Sequence, residues 1–478
     1  MQRTFGLIAM AMMVTADGGT PWPSIEESHI MAAPDAPPAV VRRDTRSMID
    51  VGALLAAARG APPIICSLAA RTLSNGYWGG WADAPSSPLP DVMATPDEDD
   101  DDDMPRRGRG ETHYSAADVQ RLLESLSSDD ACVREVAVRI LGHEEHDPAV
   151  VNGLLTRLRD QSVQLRQVAA LGLGLLESDS AVTPLVQALR DTSAGVRANA
   201  AWALGRIENG RALAPLTAVL RDRDEKVRAA ATIAVGQMDS VSAAAVLARV
   251  VREDQSPAVR RAAAWGLGNL EAREGVDALS SAVAGDKDVR VREMAAWALG
   301  NIEDSKGSAA LLTAARRDDS DTVRETAVWA LAQIEDRSSV DALGAIAGSD
   351  RSARVRGTAA WAIGQIQDDD GHAPAGLVKL LADEDESVRL KAAWALGQIG
   401  DTSALPAIRD AMKREKNPRI TKALIRALMK SGERSEETLS QLLDSPDPAV
   451  REAAVRGLAG SSSREPWPWP NPRPRPFP

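Results

Sequence analysis

V-R-L-K-A-A-W-A-L-G-Q-I-G-D, residues 388–401, is the stretch that decides the fold. Close copies begin at Val196 (V-R-A-N-A-A-W-A-L-G-R-I-E), Val291 (V-R-E-M-A-A-W-A-L-G-N-I-E-D) and Val355 (V-R-G-T-A-A-W-A-I-G-Q-I-Q-D). Diverged copies begin at Val133, Leu165, Val227, Val259, Val323 and Val450, and a degenerate one, R-I-T-K-A-L-I-R-A-L-M-K-S-G, begins at Arg419. The arginine after the leading apolar residue stands at 134, 166, 197, 228, 260, 292, 324, 356, 389 and 451, in steps of 31 to 33 residues, with 62 across the degenerate copy. Self-similarity at that period is the signature of stacked supersecondary units that bury one continuous core. The sequence therefore predicts an all-α superhelix of about eleven helical hairpins over residues 115–460. Each hairpin has an outer helix, such as 182–189 with Pro184 in its first turn, and an inner helix carrying the repeat.

With the repeat arginine as position zero and about 100° per residue, the leading Val and positions plus three, seven and ten share one side of the inner helix. In the opening copy these are Val388, Ala392, Leu396 and Ile399, the expected core stripe. Position plus eight is Gly at 142, 174, 205, 236, 268, 300, 364 and 397, and position plus four is usually Ala. A glycine inside a helix costs about 1 kcal/mol against alanine, so its recurrence needs a recurring reason. Close approach of the next inner helix supplies one. An aspartate stands six residues before the arginine at 160, 191, 222, 254, 286, 318, 350 and 383, which predicts a ladder of Asp–Arg pairs along the interhelix turns. Recurrence in every unit makes this pair structural, since catalysis needs one constellation and not eight.

The D-x5-R spacing and the V-R-x-x-A-A-W-A-L-G-x-I-x-D unit resemble HEAT repeats of the bacterial, phycobilin-lyase-like class. That resemblance implies a scaffold or partner-binding module, and architecture more firmly than activity. The W-A-L-G-N-I run at Trp297 also resembles the W-A-L-S-N-I signature of armadillo proteins, although the three-helix armadillo unit is absent. In that family Trp and Asn arrays grip an extended peptide, the amide bonding its backbone and the indoles forming slots.

Two positions are left over from folding. Position plus five is Trp202, Trp265, Trp297, Trp329, Trp361 and Trp394, and position plus nine in the same units is Arg206, Asn269, Asn301, Gln333, Gln365 and Gln398. On the wheel the tryptophans lie about 150° from the core stripe, one turn from the amides, and are expected to be exposed on a concave face. Two readings stand: these twelve residues line a groove for a protein or peptide partner, or each indole lies on the adjacent helix and covers it.

Outside the array the composition changes. Residues 1–16 hold Arg3 and an apolar run ending in Val14-Thr15-Ala16, which resembles a secretory signal peptide. Export to the periplasm or the exterior follows if it is cleaved, a cytoplasmic location if it is not. Residues 17–46 read as a linker and 47–82 as a small helical segment with Met48, Val51, Leu54, Leu55 and Ala58 at helical spacing, an N-terminal cap or tether. Residues 83–114 form an acidic disordered linker around Asp97–Asp103. The tail 461–478 is proline-rich and contains Trp467 and Trp469; it can adopt only polyproline II or coil, and docking in the chain's own groove is one expectation for it.

The net charge of −12 and a pI near 5.1 argue against a general nucleic-acid binder, which works by neutralising phosphates. No run is long enough for a transmembrane helix. Cys66 and Cys132 are far apart and suggest neither a disulfide framework nor a zinc site. Deoxyhypusine hydroxylases, a HEAT-like enzyme family, hold iron through several His-Glu pairs; here only His143-Glu144-Glu145-His146 resembles one. With no phosphate loop, nucleophile set or converging ligands, the expectation is a non-enzyme without cofactor or metal, a hydroxylase or phycobilin-lyase-like enzyme being the alternative.

Overall fold

The computed structural model describes residues 50–61, 114–142, 147–238, 240–366, 371–433, 435–446 and 448–458. The signal-peptide reading, both linkers, most of the 47–82 segment, the His143–His146 stretch and the proline-rich tail lie outside them. Every regular element among the described residues is helical.

Eleven inner helices follow one another: Ala131–Leu141, Val163–Leu175, Ala194–Ile207, Glu225–Gln237, Pro257–Asn269, Val289–Ile302, Asp321–Gln333, Ala353–Ile366, Glu386–Ile399, Pro418–Lys430 and Pro448–Leu458. Each is preceded by an outer helix, for example Val182–Ala188 before Ala194–Ile207 and Ser308–Arg317 before Asp321–Gln333. Successive inner helices pack on one another along the whole array, and outer helices touch one another less. The degenerate copy is a full unit, with helices Leu405–Arg414 and Pro418–Lys430, in which Thr421 takes the arginine's place.

The core stripe is as the periodicity predicts. Val388, Ala392, Leu396 and Ile399 are all buried, as are their counterparts Val291, Ala295, Leu299 and Ile302. The position-plus-eight glycines mark close approach between inner helices. A methyl on Gly205 would come within 2.7 Å of Ala234 Cα, and one on Gly268 within 2.8 Å of Ala298 Cα, so backbone would have to move.

The predicted ladder exists and has a direction. From Arg166 to Arg389 each repeat arginine reaches forward to the acid of the next unit: Arg197 to Asp222, Arg260 to Asp286 and Arg292 to Asp318 at 2.7 Å, Arg324 to Asp350 at 2.8 Å. Most are two-pronged, Nε and one terminal nitrogen each donating to a carboxylate oxygen, as for Arg292 and Asp318. The second terminal nitrogen donates to the carbonyl of the arginine's own unit six residues back, such as Arg292 to Asp286 at 2.9 Å. The carboxylate in turn accepts the N–H two residues on, as Asp286 does from Asp288 at 2.9 Å. The ladder runs from Arg166–Asp191 to Arg389–Glu415, where glutamate replaces the aspartate. Asp160, counted in the same series, takes the Ser162 N–H but forms no rung.

One further helix, α1 (Val51–Ala58), packs on the first hairpin and buries Val51, Leu55 and Ala58. Asp50 caps it, accepting the Ala53 N–H at 3.1 Å. One expectation fails here. Cys132, near the start of the first inner helix, is disulfide-bonded, whereas the wide spacing of the two cysteines suggested no such bond. Sequence separation alone does not decide whether two cysteines pair, since loop-closure cost grows only slowly with length.

Candidate functional site

The tryptophan face differs from the exposed ladder that the helical wheel predicts. Trp329 and Trp361 are 1% exposed and Trp394 is 7% exposed, while Trp202, Trp265 and Trp297 are half-buried. The indoles lie on the preceding inner helix, over its position-plus-eight residue. A methyl on Gly174 would stand 2.6 Å from Trp202 Cζ3, and the same atom would be 2.8 Å from a methyl on Gly268 for Trp297 and on Gly300 for Trp329. Gly364 and Trp394 repeat the contact at 2.6 Å, Gly236 and Trp265 at 3.2 Å. The glycine that lets two backbones close up also makes the seat for the next ring. The tryptophans are therefore a floor.

Position plus nine divides into engaged and open residues. Arg206 stacks over the Trp202 ring, its guanidinium carbon 5.8 Å from the centroid, and pairs with Glu177 of the preceding unit. Asn269 donates its amide N–H to the Gly236 carbonyl at 2.9 Å. Asn301, Gln333 and Gln398 are half-exposed and Gln365 is exposed. None of these four has a hydrogen-bond partner among the described residues. They stand on four successive inner helices, beside the floor.

Below this row, position plus eleven ends the inner helices in the left-handed region. Glu177, Glu208, Glu271, Glu303 and Glu335 have φ between 48° and 55°, while Gly400 and Gly432 occupy the same position in later units. A side chain there costs about 1–2 kcal/mol, which glycine avoids. Glu271, Glu303 and Glu335 form no ion pair among the described residues. Replacing each by glycine is expected to stabilise the fold by about 0.5–1 kcal/mol, the greater freedom of glycine in the unfolded chain offsetting part of the relief. Thermal melts of Glu271→Gly, Glu303→Gly and Glu335→Gly check this; a lowered midpoint contradicts it.

On the N-terminal half of the same face lies a string of charges that sequence reasoning missed. Glu325 is buried, pairs with Arg354 and accepts from the Thr358 hydroxyl at 3.3 Å. Burial pushes the Glu293 carboxyl above the usual carboxylate range and the Lys391 ammonium below the usual lysine range. Positions plus one and plus two flank plus five on the wheel; charged residues there at Glu293, Glu325 and Lys391 were the available signal. Acids and bases are mixed in this string, so it presents no field of one sign. Among the described residues no three His, Cys, Asp or Glu side chains converge as metal ligands would. No helix among them is long and apolar enough to cross a membrane.

The family model for HEAT repeats matches six overlapping segments, 119–195, 151–236, 182–256, 244–332, 308–375 and 374–459. The chain belongs to the HEAT-repeat family. No curated protein matches it. Among solved structures, importin beta in an ammonium sulfate condition is similar, with a TM-score of 0.51 at 15% identity over 71% of this chain and 57% of that one. A chain from the structure of Kap95p with RanGDP gives a TM-score of 0.51 at 15% identity over 73% of this chain and 56% of that one. This HEAT-repeat chain thus spans a little over half the length of each. An engineered protein is 25% identical over 72% of this chain and 99% of its own, with a TM-score of 0.41. At such identities the likeness to the two transport-factor structures is one of fold.

Proposed function

We propose that this HEAT-repeat chain is a non-catalytic scaffold or regulator whose inner-helix face binds an extended peptide or a partner's loop. The observation that carries the reading is the open amide row Asn301, Gln333, Gln365 and Gln398. A primary amide offers two N–H donors and a carbonyl acceptor, which matches the alternating groups of a peptide backbone. Packed helices are about 8–10 Å apart and an extended chain advances about 3.3 Å per residue, so one amide meets roughly every third residue. Trp297 supplies half-exposed ring surface beside that track, and Trp265 and Trp202 offer similar surface on earlier inner helices. Trp329, Trp361 and Trp394 support it from beneath. Kap95p, similar in fold, binds RanGDP, a use of this architecture of the same broad kind.

Panning a random peptide library on the full chain tests the proposal, with the triple variant Asn301→Ala, Gln333→Ala, Gln365→Ala as control. Wild-type protein is expected to enrich a sequence class. Its affinity should fall at least about tenfold in the variant, with an unchanged melting temperature, because the three side chains have no internal partner. Equal binding by the two proteins, or no enrichment, would overturn the amide track.

A further inference from the structure

Position plus two on the inner helices is a buried one: Val136, Val168, Ala262, Met294, Thr326 and Thr358 fill it in six of the units. Lys391 stands there on the helix Glu386–Ile399, the one charged residue at that position. Position plus one changes beside it, where Gly357 follows Glu293 and Glu325 of the two preceding units. The two departures fit each other. A methyl on Gly357 would stand 3.2 Å from Lys391 Cδ and 3.3 Å from Nζ, so the lysine lies along the bare backbone of the preceding helix. Neighbouring units of the same build accept alanine or methionine at this position, so the fold does not require an ammonium there. We infer that Lys391, in the notch left by Gly357, receives an aspartate or glutamate side chain of the bound segment, a role that rests on the peptide-binding reading above.

The ammonium is half-buried and has no hydrogen bond or ion pair among the described residues. Two carboxylates act on it through space, and both are engaged elsewhere. Glu325 is held by Arg354 and by the Thr358 hydroxyl. Asp385 caps the helix that carries Lys391, accepting the Ser387 and Val388 N–H groups at 2.8 and 3.1 Å. Arg354, exposed and three residues before Gly357, brings a second positive charge to the same place. Burial first, and Arg354 with it, therefore hold the ammonium below the usual lysine range against the pull of the two acids. A cation that has lost water and gained no counter-ion leaves room for one anion. Glu325 and Asp385 nearby penalise a doubly charged phosphate more than a singly charged carboxylate.

The notch lies within reach of the amide row. Gln365 stands eight residues beyond Gly357 on the helix Ala353–Ile366, a rise of about 12 Å. Side chains on a helix lean toward its N-terminus, so the Gln365 amide leans back toward the notch. An acidic side chain on a segment held at Gln365 covers the remaining gap.

The test pans the peptide library on the full chain and on its Lys391→Met and Gly357→Ala variants, with melting temperatures measured in parallel. Wild type is expected to enrich peptides with an acid at one fixed position. Replacing that acid by its amide should cost wild type about tenfold in affinity and Lys391→Met nothing. Gly357→Ala, whose methyl displaces the lysine stem and keeps its charge, should also weaken the acidic preference. Lys391→Met should melt no lower than wild type, since Met294 fills the same position and the unpaired charge is gone. Enrichment without an acidic preference, or a preference that survives Lys391→Met, overturns the carboxylate site and leaves the amide row standing. If Lys391→Met melts lower and Gly357→Ala keeps the full preference, the lysine is a structural counter-charge for Glu325 instead. Absence of any enrichment removes both readings.

Discussion

Trp329→Ala is expected to lose about 3–5 kcal/mol of stability, the usual cost of removing a large aromatic from a packed interior. The side chain is 1% exposed, and its ring fills the seat over Gly300. Its Nε1–H has no acceptor among the described residues, so the loss is one of packing and cavity. Because each unit touches only its neighbours, the damage should concentrate in the units holding Val289–Ile302 and Asp321–Gln333. Urea titration combined with hydrogen exchange reads both the magnitude and the location. Trp297→Ala, at a half-buried site, should cost clearly less. Equal losses at 297 and 329 would show that burial does not rank these rings.

Arg324→Ala should cost a comparable amount, about 3–5 kcal/mol, because it strips one partner from a buried ion pair. Arg324 is 4% exposed and holds both Asp350 carboxylate oxygens and the Asp318 carbonyl. Pairing Arg324→Met with Asp350→Leu should recover most of the loss, since the penalty comes from the orphaned charge. A double variant no better than the single one would assign the cost to the lost carbonyl contact.

The same ladder predicts acid sensitivity. Burial pushes the Asp222, Asp286, Asp350 and Asp383 carboxyls up, but the paired arginines and backbone N–H groups outweigh it and hold all four below the usual range. Glu433, bonded to Arg409 and the Ser435 N–H, is lowered to about 2. Groups lowered in the folded state contribute in full above their unfolded values, near 4 for carboxyls. That contribution drains away as pH falls through the folded values. Tryptophan fluorescence should therefore report a cooperative loss of structure between about pH 4 and 2, and none from these groups on the alkaline side.

Much of this was legible in the sequence, for a physical reason. The period, the core stripe at Val388, Ala392, Leu396 and Ile399, and the purpose of the recurring glycine follow from geometry within one helix or between identical neighbours. The tryptophans were misjudged because a wheel reports direction within one helix and not how deep the next helix sits. Gly300 was correctly taken as a point of close approach, yet that closeness is what buries Trp329. The register of the rungs was hidden by the repeat itself: Arg292 has an aspartate six residues before it and another 26 after it, and sequence cannot choose. Glutamate in a left-handed position was unforeseen because its backbone preference argues against it.

The forward reach of each arginine has a consequence for how such an array grows and shrinks. Any segment cut from one rung aspartate to just before the next carries one rung acid and one rung arginine, so duplicating or deleting it leaves every rung matched. Near-identical copies at Val196, Val291, Val355 and Val388 are what that tolerance permits. A chain emerging from the ribosome, by contrast, always ends in a guanidinium awaiting its carboxylate until the following turn appears. The series stops where Glu415 accepts Arg389 and Thr421 asks for nothing from the unit beyond. The series of rungs therefore has a built-in final position at residue 421, while helix packing carries the array on into its eleventh hairpin.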